Sequence, residues 1–430
     1  MSMGEDARKA ALGLILGVTE HAQPLSDQLA AGDLGGLPPA ERARAQRLAL
    51  ATLRHLGRAD AVLKKLMRRA PPPDVQALLR LATVEMLEEG AAPHGVVNDA
   101  VTIARTGGPR TDSFTALINA VLRKVAETDP ATWDSLPPPA LPDWLRGRLM
   151  SAWGKQTTMR IEAAHLRAAP LDVTPKSADT APELAEALGA TLLPTGSLRL
   201  AARGQVSDLP GFAEGAWWVQ DAAAALAARI LAPAAGARTL DLCAAPGGKT
   251  LQLAAMGADV TALDISSPRA QRIAENLARC GLSARIVTDD ALHWQPDAPF
   301  EAILLDAPCS ATGTVRRHPD VPYAKDPRSL RELFALQAQM LDRALDMLAP
   351  NGRLVYCTCS LLPEEGEAQI AAALTRHPGL RTQPGALALP GIDPEWITAE
   401  GGLRLRPDYW PETGGMDGFY IACLTRDLAG

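Results

Sequence analysis

Apolar side chains recur at helical spacing through the first 130 residues. One stripe with the i, i+3, i+4, i+7, i+8 pattern consists of Phe114, Leu117, Ile118, Val121 and Leu122. Asp112 lies where its side chain is expected to cap that helix. A second helix is predicted to begin at Asp74, directly after three prolines.

A third helix is predicted over residues 41–67, with leucines along one side. The opposite side of this helix carries the arginines Arg44, Arg47, Arg54 and Arg58. Gly57 is the position at which we expect an interruption. Residues 1–131 are therefore predicted to form an all-α domain with one basic face.

The hydrophobic pattern changes after a linker predicted at residues 132–142, where four prolines break any regular element. Residues 143–205 read as a small α+β, RRM-like segment. Its predicted elements are a helix through 183–188 and strands at 171–174 and 198–200.

From residue 206 onwards, short apolar strands alternate with helices. The strands are predicted at 239–242, 259–263, 285–288, 301–305 and 353–356, and a long amphipathic helix at 329–348. This alternation predicts a parallel, doubly wound α/β domain over residues 206–430. Since ligands bind beyond the carboxyl ends of such strands, the residues that follow each strand are the candidates for chemistry.

The net charge of −6 argues at first against a nucleic-acid partner. Residues 1–130, however, hold 16 basic against 15 acidic residues, and residues 41–69 alone hold nine against two. A local basic patch can bind a polyanion whatever the total charge. The 17 aromatic residues (8 Trp, 5 Phe and 4 Tyr) are too few to favour a protein that grips nucleic acid by base stacking alone.

The cysteine pattern and the termini favour a reducing compartment. Six cysteines, all in the second half of the chain, do not form a secreted disulfide framework. We also see no signal peptide and no apolar run long enough to span a bilayer. We expect a cytoplasmic protein without membrane contact, acting as a monomer.

A glycine-rich turn, Cys-Ala-Ala-Pro-Gly-Gly-Lys-Thr at 243–250, joins the first of these strands to a helix. Its small residues allow close approach of a ligand to the backbone. Asp264 follows at the end of the next strand, where an acidic side chain can accept ribose hydroxyls. The turn is neither G-x-G-x-x-G nor a P-loop, because Cys243 stands where a P-loop has glycine. Together with Asp290 and Asp306, it predicts a cofactor that carries a nucleoside.

Two further strand ends carry cysteines, in Asp306-Ala-Pro-Cys-Ser310 and Thr358-Cys-Ser360. This pattern indicates chemistry at carbon 5 of a pyrimidine. That carbon is a weak nucleophile until a thiolate adds to carbon 6. Asp306 is placed to hydrogen-bond the ring as charge develops. Spacing alone cannot choose between Cys357 and Cys359, and the missing second ligand pair argues against a metal at this C-x-C.

The remaining cysteines are expected to have structural roles. Cys280 and Cys423 are expected to be small buried hydrophobes, whereas Cys243 is expected to serve the glycine-rich turn by its size and backbone.

These motifs, taken together, resemble the bacterial Sun-type (RsmB) ribosomal RNA cytosine-C5 methyltransferases. The resemblance rests on the segments 242–250, 306–313, 316–320 (Arg-Arg-His-Pro-Asp), 358–360 and 416–420. Residues 92–124 are similar to the antitermination factor NusB, which forms the N-terminal RNA-binding domain of that family. The match covers nearly the whole chain.

The resemblance implies a class I, Rossmann-like methyltransferase domain that uses S-adenosylmethionine. It assigns the nucleophile to Cys359 and product release to Cys309, with Asp306 also in the catalytic set. The implied cofactor contacts are Cys243, Ala244, Ala245, Pro246, Gly247, Gly248, Lys249, Asp264, Asp290 and Asp306. Cys357 departs from the family, whose members usually carry another residue there.

The expected partner is small-subunit ribosomal RNA. Arg316 and Arg317 follow the Pro-Cys loop and are expected to hold the RNA backbone, although a solvated charged turn is the alternative. Arg44, Arg47 and Arg54 are weaker candidates, because a solvated helix face is equally consistent with their spacing. The neighbouring Lys64, Lys65, Arg68 and Arg69 favour RNA.

Two alternatives to this reading stay open. The same chemistry could act on transfer RNA, or the chain could be a NusB-like assembly factor with an inactive methyltransferase domain. The second alternative is disfavoured because Asp306, Cys309, Cys359 and the glycine-rich turn are all present. A DNA cytosine methyltransferase is disfavoured as well, since that class uses the Pro-Cys cysteine as its nucleophile.

Overall fold

A computed structural model describes residues 3–201 and 205–426, which form two compact units. The first unit consists of the described residues up to Arg167 and of residues 315–327. The second unit consists of residues 168–314 and of the described residues from Arg328 onwards.

The helices are given in chain order. They are α1 (Met3–His21), α2 (Leu25–Ala31), α3 (Pro39–Arg54), α4 (Leu56–Leu66), α5 (Pro73–Leu87), α6 (Pro93–Thr106), α7 (Pro109–Asp112), α8 (Thr115–Ala126), α9 (Pro130–Asp134), α10 (Asp143–His165), α11 (Ala181–Leu188), α12 (Ala222–Leu231), α13 (Gly248–Ala255), α14 (Ser267–Cys280), α15 (Val321–Ala324), α16 (Leu330–Asp346) and α17 (Glu367–Arg376).

The strands follow in the same way. They are β1 (Leu171–Pro175), β2 (Thr191–Leu192), β3 (Leu198–Leu200), β4 (Trp217–Val219), β5 (Arg238–Leu242), β6 (Asp259–Asp264), β7 (Arg285–Thr288), β8 (Phe300–Asp306), β9 (Leu348–Thr358), β10 (Leu380–Thr382), β11 (Leu403–Leu405) and β12 (Phe419–Arg426).

The first unit is all-α, as its periodicity predicts. The stripe on α8 is buried through Ile118, Val121 and Leu122. The helix expected over 41–67 is instead two helices, α3 and α4, which meet at His55 rather than at Gly57. The expectation that Asp112 caps α8 is wrong, because Asp112 ends the single turn α7 and no described side chain caps α8.

Helix α10 belongs to the first unit, although the middle segment was predicted to begin at residue 143. Its apolar side chains Leu145, Leu149 and Ile161 are fully buried, and Gly154, with φ of 76°, breaks the helix in the middle. Residues 315–327 are also part of this unit. Asp320 accepts a hydrogen bond from the Leu25 amide at 3.0 Å.

Buried charges tie the helices of the first unit together. Glu85 on α5 accepts hydrogen bonds from Arg8 Nε at 2.6 Å and from Arg44 Nη2 at 3.1 Å. Arg8 also pairs with Asp99 on α6. Because Arg8, Glu85 and Asp99 are all buried, each charge needs its partner to offset the loss of water.

The second unit begins with a small antiparallel sheet of order β2-β3-β1-β4. The predicted helix of this segment is α11, and β1 and β3 lie where strands were expected. Strand β4 completes the sheet although it lies past residue 205, the predicted end of the segment. A buried ion pair between Arg199 and Asp172, at 2.7 Å, links β3 to β1.

The larger sheet has the order β10-β12-β9-β8-β5-β6-β7, with β11 paired to β12. Strands β9, β8, β5, β6 and β7 are parallel, as predicted. Beyond these predicted strands, β12 runs antiparallel to β9 and pairs with β10 and β11, which makes the whole sheet mixed. The carboxyl ends of the parallel strands all lie at one edge of the sheet, where the candidate residues collect.

Length and hydropathy exclude a bilayer-crossing helix from the portions of the chain just given, 3–201 and 205–426.

Replacement of Glu85 by Ala is expected to lower the free energy of unfolding by about 3–5 kcal/mol, because it leaves buried arginine charge uncompensated. The matched control is Glu89→Ala. Glu89 pairs at 3.2 Å with Arg47, which is largely exposed, so its loss is expected to be below about 1 kcal/mol. Chemical denaturation of the full chain, followed by circular dichroism, measures both. Equal losses in the two variants would contradict the structural role of Glu85.

Candidate functional site

The glycine-rich turn bends sharply between β5 and α13. Gly247 precedes α13 with φ of 106°, a conformation that side chains with a Cβ rarely adopt. A Cβ at this position would also lie 3.3 Å from the Ile273 side chain. The Ala244 amide donates to the Leu263 carbonyl at 3.1 Å, which fixes the turn against β6. The turn is therefore held in one shape by its own backbone.

Asp264 lies beneath this turn rather than in the open. One carboxylate oxygen accepts from the Ala245 amide at 3.1 Å, and the other accepts from the Ser266 amide at 3.0 Å. Arg269 lies 3.4 Å from the same carboxylate and donates to the Ala245 carbonyl. Since Asp264 is buried, the structure shows it supporting the turn.

Asp290, after β7, is partly exposed at the same edge of the sheet. Its carboxylate accepts hydrogen bonds from the Leu292 amide and from His293 Nδ1, both at 3.0 Å. The Leu292 amide, followed by His293, lowers the pKa of Asp290 below its ordinary value. The group therefore remains an anion at neutral pH.

Asp306, at the end of β8, pairs with Lys249 from the glycine-rich turn at 2.7 Å. Burial is the largest influence on Lys249 and opposes its charge, but the Asp306 carboxylate and the other acidic groups around it together outweigh burial and raise the pKa of the lysine. The ammonium group also lies 5.2 Å from the centre of the Phe419 ring. The turn and β8 thus share a partly buried ion pair.

Asp241, within β5, is a buried acid near this pair. Its carboxylate accepts a hydrogen bond from the Thr250 hydroxyl at 2.6 Å. Burial raises the pKa of Asp241 to about 7, because the desolvated charge is disfavoured.

Cys309 and Cys359 are brought together from the ends of β8 and β9. Their Sγ atoms lie 3.4 Å apart, and both residues are partly exposed. The hydrogen bond with Cys359, followed by burial, raises the pKa of the Cys309 thiol far above its ordinary value. The arrangement places a thiol that stays protonated directly beside a second sulfur.

Cys357 is separated from this pair by its burial. It is completely inaccessible, and its thiol donates to Asp306 at 3.6 Å. Burial raises the pKa of Cys357 well above its ordinary value, followed by the effect of Asp306. The structure thus distinguishes Cys359 from Cys357, which spacing alone left open. Cys280 and Cys423 are buried free thiols, as predicted.

Glu365 lies between the two cysteine loops, although no sequence motif indicated it. Its carboxylate is fully buried and accepts hydrogen bonds from the Ser310 amide at 2.8 Å and from Gln337 at 2.9 Å. The hydroxyls of Ser310 and Ser360 also donate to it. These serines directly follow Cys309 and Cys359, so one carboxylate holds both cysteine loops. The acidic pair after Pro363 was the available signal, but it is common at helix starts.

A cavity of about 310 Å³ lies beside the glycine-rich turn, within the size range of small-molecule sites. Its lining includes Ala244, Pro246, Gly248, Lys249 and Asp306. Trp218, Gln220 and Asp221, just before α12, form part of its wall. Asp264 and Asp290 are not among its lining residues. No motif indicated the wall residues before α12 in advance.

In the portion of the chain that the structure describes, His, Cys, Asp and Glu side chains form no group of three suited to a metal ion.

The arginines proposed for RNA contact occupy different environments. Arg316 is only 1% exposed, so its side chain does not reach an RNA backbone in this conformation, which argues against that role. Arg54 donates to the His165 carbonyl at 3.1 Å, and burial lowers its pKa to about 10. Arg317 is partly exposed.

Most of the arginines on the expected basic face of the 41–67 segment form contacts within the helical unit. Arg44 pairs with the buried Glu85, and Arg47 pairs with Glu89 while staying exposed. Arg58 is buried and donates to the Leu136 carbonyl at 2.8 Å. The exposed basic residues near the end of α4 are Lys64, Lys65, Arg68 and Arg69.

Comparisons with known proteins agree on both units. The family model described as "16S rRNA methyltransferase RsmB/F" matches residues 228–425, and the NusB family model matches residues 5–127.

Relatives that align over nearly their whole length point to the same family. "Ribosomal RNA small subunit methyltransferase B" of Salmonella arizonae is 35% identical, with 91% of this chain and 97% of that protein covered. The protein of the same name from Klebsiella pneumoniae subsp. pneumoniae is 34% identical, with 91% and 96% covered.

Among solved structures, the crystal structure of PH0851 matches with a TM-score of 0.73 and 23% identity over 99% of both chains, which supports the fold. The family models and the identity to these relatives show the family as well as the fold. The chain belongs to the RsmB family of 16S ribosomal RNA methyltransferases and has a NusB-family domain at its N-terminus.

Proposed function

We propose that this protein methylates carbon 5 of a cytosine in small-subunit ribosomal RNA, through a covalent bond between Cys359 and carbon 6 of the base. The observation that carries the proposal is the 3.4 Å approach of the Cys309 and Cys359 sulfur atoms at adjacent strand ends. The small-subunit RNA named for the relatives supports the substrate. That the protein acts as a cytoplasmic monomer stays a prediction.

S-adenosylmethionine, when bound, supplies the electrophilic methyl group. The cavity beside the glycine-rich turn fits such a molecule, because small residues leave room for it and Asp306 and Lys249 form one wall. We assign its binding to residues 243–249 and Asp306, with Asp290 offering a partly exposed carboxylate at the same sheet edge. Asp264 supports the turn from beneath through the Ala245 amide.

The roles of the two cysteines follow from their environments. The Cys359 thiolate forms a bond to carbon 6, and the displaced ring electrons make carbon 5 nucleophilic. Cys309, whose raised pKa keeps it protonated, can donate its S–H to the neighbouring sulfur and stabilise a thiolate there. After methyl transfer, a water molecule takes the carbon 5 proton, the electrons of that C–H bond form the C5–C6 double bond, and the Sγ–C6 bond breaks so that Cys359 leaves as a thiolate. We assign to Cys309 the assistance of this release, because its S–H can donate a hydrogen bond to the departing sulfur.

Asp306 is proposed to hydrogen-bond the polar edge of the cytosine while Lys249 balances its charge. Cys357 takes no part in the proposed reaction, because it is inaccessible to a base.

RNA binding is proposed to rely on the exposed residues Lys64, Lys65, Arg68 and Arg69 together with Arg317 and Arg47. Exposed cations can neutralise phosphates, whereas the buried Arg316 and the largely buried Arg54 act in the structure of the helical unit. A transfer RNA substrate remains the alternative for the same chemistry.

Bisulfite sequencing of total RNA tests the substrate. A deletion strain is expected to lose one 5-methylcytosine signal in small-subunit ribosomal RNA, and the wild-type gene supplied in trans is expected to restore it. Loss of a transfer RNA signal instead would move the substrate to the alternative. An unchanged RNA profile would contradict the enzymatic function.

Single cysteine variants test the chemistry. Cys359→Ser is expected to abolish methyl transfer, because a serine hydroxyl is a far weaker nucleophile than a thiolate. Cys309→Ser is expected to accumulate a covalent protein–RNA adduct, visible as a shifted band under denaturing conditions. Cys423→Ser, in a buried thiol away from the pair, is the control. An active Cys359→Ser combined with no adduct in Cys309→Ser would reverse the two roles.

Glu365→Gln is expected to lower kcat by about 10²-fold, because a small misplacement of reacting groups has an effect of this size. A glutamine amide cannot accept all the hydrogen bonds that the carboxylate accepts from both loops. Steady-state kinetics, S-adenosylmethionine affinity and the thermal midpoint are compared with those of Glu364→Gln, its half-buried neighbour. The positioning role fails if kcat is unchanged, or if cofactor binding falls in parallel with kcat.

A further inference from the structure

A second cavity, of about 500 Å³, lies within the second unit between the small sheet and helices α12 and α13. Its lining includes Thr174 and Lys176 at the end of β1, Thr195 before β3, and Arg229 on α12. None of residues 243–249 lines this cavity. Among the described residues, only Trp218 lines both this cavity and the cofactor cavity. It is therefore a separate site from the one used for methyl transfer.

Two basic side chains, Lys176 and Arg229, line this cavity. Lys176 donates to the Cys280 carbonyl at 2.6 Å, and Arg229 donates to the Thr195 carbonyl. The cavity wall, as far as the described residues form it, contains neither Asp nor Glu. Burial lowers the pKa of Arg229, with no neighbouring carboxylate raising it. An anionic ligand would supply the charge that this wall lacks.

Two buried hydroxyls reinforce the polar side of the cavity. Thr174 and Thr195 are each 3% exposed, and within residues 3–201 and 205–426 neither hydroxyl has a hydrogen-bond partner. Buried polar atoms in proteins are almost always hydrogen-bonded. Both threonines line the cavity, so a ligand with several acceptor oxygens would engage them together with the cations.

The remaining wall of the cavity is apolar. It includes Leu226 on α12, Met256 directly after α13, and Leu389 and Pro390 from the chain after β10. The volume lies within the range of about 300–1,000 Å³ typical of small-molecule sites and exceeds what inorganic phosphate alone would fill. A phosphoryl group joined to a larger, ring-containing body matches both walls.

We propose that this cavity binds a nucleoside 5′-phosphate, with the phosphate on Lys176, Arg229 and the two threonine hydroxyls and the nucleoside against the apolar wall. The guanidinium and ammonium groups are the side chains that proteins use most for phosphate. The ligand is either a free nucleotide or one nucleotide of an RNA chain. Binding here does not depend on methyl transfer at the other site.

Isothermal titration calorimetry on the full chain, with the cofactor cavity saturated by S-adenosylmethionine, tests the proposal. The probes are 5′-CMP, cytidine as its uncharged match, and a short single-stranded RNA. We expect 5′-CMP to bind at least tenfold more tightly than cytidine if the source is a free nucleotide. Binding of the RNA but not of 5′-CMP, sensitive to the variants below, identifies the RNA chain as the source.

Arg229→Met and Lys176→Met keep the apolar stems and remove the charges. Each is expected to weaken binding of the recognised probe at least tenfold, whereas Arg272→Met, in an exposed arginine on α14, leaves it unchanged. Thermal midpoints verify folding, and Arg229→Met is expected not to lower the midpoint, because it removes a partly buried cation that no carboxylate stabilises. Failure of wild-type protein to bind either probe overturns the proposal. Equal affinity of the wild-type protein and both variants for the probe also overturns the proposal.

Discussion

The buried carboxylate of Glu365 accepts hydrogen bonds from the two loops that carry the reactive cysteines. A charge without solvent is strongly unfavourable unless donors surround it, and here an amide, an amide side chain and two hydroxyls do so. Because the two serine donors each follow a cysteine, satisfying the carboxylate also fixes the separation of the two sulfur atoms. The backbone adds to this link, since the Gly313 amide donates to the Cys359 carbonyl at 3.0 Å.

A second consequence of burial is the distribution of charge at this sheet edge. The Lys249 ammonium and the Asp306 carboxylate offset each other, so the pair can stay ionised although the lysine is largely buried. The thiols of Cys309 and Cys357, in contrast, have pKa values raised by their surroundings and hold their protons. In the proposed reaction the Cys359 sulfur therefore lies beside a protonated Cys309, which can donate a hydrogen bond to it. The raised pKa values of Cys309 and Cys357 come from their surroundings, not from their residue type.

The strand ends were predictable from the sequence because they follow from local pattern. Apolar runs ending at Asp264 and Asp306 define strands whose carboxyl ends must meet in a parallel sheet. Glu365 could not be found this way, since its donors come from residues 28 to 55 positions away as well as from nearby. The break at His55 and the antiparallel β12 also depend on long-range packing. Arg316 illustrates the same limit: its charge indicated RNA, whereas its burial is set by tertiary structure.

The basic residues of the helical unit show why a count of charges overstates RNA-binding capacity. Of the nine in residues 41–69, Arg44 serves a buried glutamate, Arg54 bonds a helix-end carbonyl, and Arg58 bonds the carbonyl of Leu136. Phosphate binding gains its free energy from counterion release, which requires cations accessible to the polyanion. The exposed cluster Lys64, Lys65, Arg68 and Arg69 meets that condition, because it projects from the end of α4 rather than from its packed face. Affinity for RNA in this unit should thus depend on the cluster at the end of α4, while the arginines at helical spacing mainly determine its stability.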